Sequence, residues 1–469
     1  MFRIWSWAPA SLKNPNTKLD TRLAAITCFK ASPPGNRGWH LAKTGWEVPP
    51  FLLRDPRLKA SKGLRGYPWE GPEKKAKGCP FGQNGRMNAS SLGAMGAYPL
   101  TYCANAHPAG DLAESERVLR ERVGPVLRRV LGEGPLCFGA WWPQDVVTEL
   151  SKGDTLVSHR DLCLSLGLAP RSLNAFPMAR FHGEPVKERV YEPSWESSAR
   201  LAYTLTCASL QAELLQAFGI QSGVISSLPL GFRGRGRRAE AQEEHRANIL
   251  RLALGLAEIE KNTAVQIQVA LEPEPWCLLE SLGDTLSWLE GEAAPAAARV
   301  GAESTLRRHV GICLDLCHAA VVGENPVLGL RSALGHGWNV PKVQLSAALV
   351  ARDTEGAKSL LNWAEPVYLH QTWLSSGRAG PFLDLDDPAL PHLEMQAGEE
   401  LRSHFHSPIH LDRQGPLFTT QEQVLDFLRI VQRGELPQGT VLEIETYTIP
   451  QMEKELGFVW RFLVGELQT

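Results

Sequence analysis

From about residue 98 onward, short apolar runs alternate with longer stretches whose apolar residues recur at helical spacing. The runs at 99–103, 136–141, 172–176, 223–228, 265–272, 310–315, 342–346 and 441–446 read as strands. The stretches 112–131, 144–166, 199–218, 239–261, 278–289 and 328–334 read as helices. A further helix is expected over 419–433, where TTQEQV has the form of a capping box ahead of an apolar face. Strands separated by helices build parallel sheets, and eight such pairs count out to a (β/α)8 barrel. A doubly wound open sheet is the competing arrangement.

Four of the strand-like runs stop on residues that bind metal or move protons. They are LEPEP at 271–275, CLDLCH at 313–318, VQLS at 343–346 and VLEIETYT at 441–448. In a barrel the carboxyl ends of the strands converge on one mouth, so these residues are expected to meet there. Glu272 is the first carboxylate after its apolar run, with Glu274 two residues on. Asp315 and His318 form D-x-x-H, in which the carboxylate suits a hard divalent ion and the imidazole a ligand or substrate contact, although Asp315 could equally cap a helix. Glu443 and Glu445 alternate along one strand and therefore point the same way. Two like charges buried side by side call for a cation or a proton between them, either a metal or a barrel-lining lysine such as Lys342.

Two gaps are longer than a barrel needs, at 180–198 after the third strand and 347–439 after the seventh, and both fall on the catalytic side. The first carries His182, Lys187 and Arg189, with Arg200 just beyond it. These groups suit an anionic or polyhydroxylated substrate, and Tyr191 and Trp195 offer stacking surfaces. The second carries His370 and Gln371 in YLHQT, and His404, His406 and His410 in HFHSPIH. His404 and His406 share one face of an extended segment and could supply nitrogen ligands.

Charge is uneven along the 469 residues. Residues 1–94 hold 16 Lys and Arg against 5 Asp and Glu, and the remainder 33 against 46. The first part has scattered Trp, Pro and Gly without a sustained period, and is expected to be a disordered or spurious extension, with Met87 or Met95 as the true start. The barrel, 95–469, is negatively charged overall, which argues against a nucleic-acid partner. The RGRGRR run at 233–238 is expected to be an exposed loop. No run is long and apolar enough for a membrane span, no targeting peptide is evident, and nine dispersed cysteines without a C-x-x-C pair suit reduced thiols in a cytoplasmic protein. Phosphate-binding, dinucleotide-binding, G-x-S-x-G and H-E-x-x-H signatures are missing, so the sequence gives no support to nucleotide, hydride or serine-hydrolase chemistry.

The segments LTYCANAHP, LNAFPMARFHGEPVKERVYEPSW, ISSLPLG, LEPEPWCLLE, GICLDLCHAAV, KVQLSAAL, YLHQT, HFHSPIH and LEIETYT, taken together and in order, resemble the EboE family of metabolite-traffic proteins. That family belongs to the xylose isomerase-like TIM-barrel superfamily, and the resemblance runs from about residue 98 to 448. It implies a divalent ion (Mn, Zn, Fe or Mg) held at the ends of the last four strands. Glu272 and Asp315 match the first two ligands, and His318 the substrate-side histidine. Gln344 stands where a histidine is common, so either its amide oxygen or His404 or His406 would complete the third position. Glu443 or, preferably, Glu445 would be the fourth.

Glu272 with Glu443 or Glu445 would exchange the proton in an isomerase- or epimerase-like step, and Asn174, His182, Lys187, Trp195, His370 and Gln371 would contact substrate. Ser194 and Ala175 replace the Asp and Gly expected in the first long loop. The implied setting is synthesis or export of a small oxygenated or prenylated secondary-metabolite precursor, with operon partners that include a membrane protein. A non-catalytic carrier or scaffold that keeps the barrel is the alternative.

Overall fold

The computed structural model describes residues 92–93, 96–180, 182, 185–233, 239–447 and 449–467. The expectations for the basic segment 1–94, for starts at Met87 or Met95 and for most of the RGRGRR run lie outside the described residues.

Eight strands form one parallel sheet. They are β1 (Leu100–Tyr102), β2 (Leu136–Trp141), β3 (Leu168–Asn174), β4 (Ser222–Ser227), β5 (Gln266–Leu271), β6 (Val310–Asp315), β7 (Lys342–Leu345) and, after a long insert, the last strand Val441–Ile444. Their order runs last–β7–β6–β5–β4–β3–β2, with β1 beside the last strand, and a parallel bridge between Cys103 and Gly139 joins the two edges. The sheet is thus a closed (β/α)8 barrel, as the alternation of runs predicted, and the open sheet is excluded. Val224, Ala270, Cys313 and Val441 pack as one buried apolar cluster from four of the strands.

Local differences have local causes. β3 begins at Leu168, four residues before the expected 172, although it contains Pro170. The proline is tolerated because the β2–β3 ladder shifts register between Cys137 and Gly139. The helix expected over 144–166 is two, Gln144–Leu150 and Gly153–Leu166, parted at Ser151–Lys152 ahead of Gly153. The capping box read into TTQEQV does not form. The Thr420 hydroxyl instead accepts the amide of Ala348 at 2.9 Å, tying that helix to the insert. The seven cysteines among the described residues that are free thiols are all buried. No described helix is long and apolar enough to cross a membrane.

The second long gap, read from sequence as a loop, is largely a subdomain. β8 (Ala347–Ala351), β9 (Thr372–Leu374), β10 (Leu401–Ser407), β11 (Arg413–Gln414) and β12 (Leu417–Thr419) form an antiparallel sheet in the order β11–β12–β8–β10–β9. The strand before the barrel's last is therefore β12, and Val441–Ile444 is β13. The insert has its own core, in which Leu349, Leu360, Leu374, Leu401 and Leu417 pack with Phe382. The first long gap reaches it: the amides of Val186 and Lys187 donate to the carbonyl of Val367 at 3.0 and 3.1 Å. Both long segments therefore meet over the barrel mouth.

Candidate metal and substrate site

β5, β6 and β13 each deliver a carboxylate to the mouth. Glu272, Asp315 and Glu445 are all buried, and one oxygen of each lies within 4.8 Å of the others. The Asp315 Oδ1 is held by the Ser346 hydroxyl at 2.8 Å and the amide of His318 at 2.9 Å, so Asp315 does cap the helix Leu316–Val322. Its Oδ2, also buried, has no hydrogen-bond partner among the described residues. Burial, then the neighbouring Glu445 and Asp315 carboxylates, pushes the Glu272 carboxyl well above its usual range. Burial likewise raises Glu445, against the pull of the Lys342 ammonium. Three acids packed this closely without solvent repel one another unless protons or a cation sit among them. The donor set, all carboxylate oxygen with one acceptor left unpartnered, fits a divalent ion.

Gln344 occupies the middle of this group. Its amide nitrogen donates to Glu272 at 3.2 Å and to Glu445, and its oxygen faces the Cys313 thiol at 3.0 Å. In this arrangement the Gln344 oxygen, the atom a metal would need, is turned away from the carboxylates.

Histidines from two directions meet beside the acids. His318, on the helix after β6, has its Nε2 3.0 Å from His404 Nε2, and His404 Nε2 is 2.9 Å from His406 Nε2. Burial pushes the His318 imidazole down to about 4, and His404 lies well below the ordinary value through burial and the two neighbouring rings. His404 and His406 reach the mouth because β10 loses register with β8 between Ser403 and Ser407, an irregularity that re-aims side chains.

A cavity of about 420 Å³ opens over these groups. Glu272, Glu274, His318, His404 and Glu445 line one side, and Phe176, Val186, Trp363, Phe405 and Tyr447 supply an apolar wall. Glu274, which sequence reading ranked behind Glu272, is placed here with its Oε1 accepting from the Tyr191 hydroxyl at 2.7 Å. Burial lifts its carboxyl to about 8, and the tyrosine hydrogen bond partly opposes the rise. Tyr191 in turn accepts from Gln371 at 2.9 Å.

The remaining sequence candidates divide. Asn174 donates to Glu445 at 3.4 Å, and His370 stacks on Phe405 with its Nδ1 3.0 Å from the His404 carbonyl. Lys187 lines the cavity but pairs with Asp384. His182 contacts the carbonyl of Asn105 at 2.7 Å and the Tyr368 hydroxyl at 3.2 Å. Three candidates sit elsewhere. Trp195 is wholly buried with its indole N–H on the Leu228 carbonyl, so it is packing and not a stacking surface. Glu443 lies inside the barrel, paired with Lys342, which is the lysine alternative the sequence had left open. Arg200 is likewise a core residue, its guanidinium spent on the carbonyls of Ala175, Phe176 and Pro193. Asn105, which donates to Glu445 at 3.3 Å, went unnoticed in the sequence; its only signal was its place just after the first strand.

No family model matches the chain, and neither does any curated protein. Among solved structures it is similar to the IOLI protein crystallised with a zinc atom, at 13% identity and a TM-score of 0.40, covering 79% of this chain and 99% of that one. It is similar to a xylose isomerase domain protein from Planctomyces limnophilus, at 13% identity and a TM-score of 0.39, covering 73% and 93%. It is also similar to the 3-keto-D-glucoside 4-epimerase of E. coli, at 12% identity and a TM-score of 0.38, covering 77% and 98%.

Proposed function

We propose that this chain is a divalent-metal-dependent enzyme of the isomerase or epimerase type, moving a proton at a carbon beside an oxygen function of a small metabolite. The observation that carries the reading is the convergence of Glu272, Asp315 and Glu445, all buried, within 4.8 Å, with Glu272 and Glu445 lining an open cavity. These three residues would hold the ion, which supplies Lewis acidity toward a substrate oxygen when bound. Ser346 and the His318 amide keep Asp315 in one orientation, and Gln344, Asn105 and Asn174 do so for Glu445.

Glu274 also lines the cavity and lies outside this ligand set. Tyr191 fixes it at 2.7 Å, so it is placed to give or take the substrate proton. The aromatic and aliphatic wall excludes water and suits a substrate with an apolar portion beside its oxygenated end. The motif resemblance extends this reading to a precursor in secondary-metabolite synthesis or traffic, oxygenated or prenylated, handled together with other proteins of one operon, a membrane protein among them.

Elemental analysis of the purified full chain, beside a Glu272→Gln, Glu445→Gln double variant, tests the metal. Divalent metal in the parent and its loss from these carboxylates in a folded variant are expected. A folded parent that takes up no Mn, Zn, Fe or Mg on incubation would overturn the reading. Incubating metal-loaded protein with hydroxyketones in deuterated water then reads proton exchange directly as deuterium incorporated at carbon.

A further inference from the structure

We infer that His318, His404 and His406 form a second metal site, of nitrogen donors, beside the carboxylate site, so that the barrel mouth holds two ions. The neighbouring carboxylate site rests on the reading above; the histidine site stands on separate observations.

The first is the proton on each ring. His318 Nδ1 is 2.9 Å from the carbonyl of Pro273, and His406 Nδ1 is 2.9 Å from the carbonyl of Glu445. A carbonyl only accepts, so both rings carry their hydrogen on Nδ1. His404 Nδ1 is 2.7 Å from the side-chain oxygen of Gln371. That amide cannot be turned round, because its nitrogen donates to the carbonyl of Pro275 at 3.2 Å as well as to Tyr191. His404 therefore also carries its hydrogen on Nδ1. In the neutral rings all three Nε2 atoms then present bare lone pairs.

The second observation is where those lone pairs point. His404 Nε2 faces His318 Nε2 at 3.0 Å and His406 Nε2 at 2.9 Å. Two unprotonated nitrogens at that distance repel, and no hydrogen bond joins them. A proton placed on His404 would serve one neighbour and leave the other facing it. A cation satisfies all three. Imidazoles whose far nitrogen donates to a carbonyl or amide oxygen, with the near nitrogen bare, are the arrangement that metal ligands adopt.

The third observation is position. His318 comes from the barrel, whereas His404 and His406 come from one face of β10 in the insert, where the ladder is broken. Glu274 offers a carboxylate oxygen within 4.8 Å of ligand atoms of His318 and His404, which puts this site beside the group assigned to proton transfer. Asp315, His318 and His406 likewise offer atoms within 4.8 Å of one another, which makes the two sites neighbours. Imidazole donors favour Zn2+, Fe2+ or Co2+, whereas the all-carboxylate site accepts harder ions such as Mg2+ or Mn2+.

Full-length protein stripped by chelator and titrated with Co2+ tests this, reading bound metal and visible absorption together. Two equivalents are expected in the parent, one giving the intense bands of a low-coordinate nitrogen site. His404→Ala with His406→Ala should lose that equivalent and its bands and keep the other, and Glu272→Gln with Glu445→Gln should do the reverse. Gln371→Leu leaves all three imidazoles in place and frees the His404 proton. It should weaken only the nitrogen site, by roughly 10–100-fold. One equivalent in the parent, unchanged in the histidine variant, overturns the second site and leaves the carboxylate reading standing. One equivalent lost in both double variants means a single mixed-donor site and also overturns it. No binding in the parent overturns both.

Discussion

The ammonium of Lys342 lies 2.6 Å from the carboxylate of Glu443, and neither side chain has any surface in solvent. Thr101 donates to the same carboxylate at 2.9 Å and Ser226 accepts from Lys342 at 3.0 Å, so the pair is enclosed in the barrel and hydrogen-bonded on both sides. Burial works against the Lys342 charge, but Glu443, together with Cys313, Glu445 and Cys103, outweighs it and holds the ammonium above its ordinary value.

Removing one partner strands the other charge in the core. Lys342→Met is expected to cost about 3–5 kcal/mol in urea unfolding. Lys342→Met with Glu443→Leu should recover most of that loss. A single variant as stable as the parent would sink the structural assignment of Glu443.

Gly139 stands opposite this pair. A Cβ added there would fall on the Glu443 carboxylate, which Lys342 and Thr101 prevent from moving aside. Gly139→Ala should cost roughly 1–3 kcal/mol, as overpacking does. In a Glu443→Ala background the same substitution should be close to neutral, and a double-mutant cycle measures the difference. Additive effects would show that the clash is relieved elsewhere.

Ser346 acts on the metal through Asp315, donating to its Oδ1 at 2.8 Å. Ser346→Ala is therefore expected to lower divalent-ion affinity on the order of 10–100-fold. The fold should persist, since the lost hydrogen bonds to Asp315 and from the amide of Cys317 amount to about 1–3 kcal/mol. Isothermal titration of the stripped protein reads the affinity. Unchanged affinity would mean that Asp315 needs no such support.

Stability should also fall in mild acid for reasons outside the site. His245 is buried, the Glu196 carboxylate is 4.0 Å away, and burial pushes its imidazole down to about 4; His107 is pushed to about 4 by burial as well. The folded state then holds each ring neutral at pH values where the unfolded chain protonates it. The stabilisation is complete above the unfolded value of about 6.5 and is lost as pH falls toward 4. Each ring should cost about 2 kcal/mol by pH 5. Comparing urea unfolding at pH 7 and 5 for the parent and His245→Leu should show the pH effect reduced by that amount in the variant. An equal pH effect in both would contradict the neutral buried ring.

The eight-strand count came from local pattern, because short apolar runs and amphipathic helices declare themselves without distant partners. The same logic placed Glu272 and Asp315 at strand ends and put Glu443 and Glu445 on one side of a strand. It failed at 168–171, where Pro170 disguised the start of β3, and across the insert, whose strands are short.

The sequence by itself therefore determined the barrel, the mouth at which its strand-end chemistry collects, and the residue types gathered there. Tertiary structure decided what each residue meets. The pairing of β13 with β7 gave Lys342 to Glu443 and left Glu445 at the mouth, and it set Gln344 between two carboxylates. The insert's broken ladder carried His404 to His318 across 86 residues of chain. Strand and helix preferences act over a few neighbouring residues, whereas register and the meeting of an insert with a barrel depend on contacts that form only when the whole chain is packed.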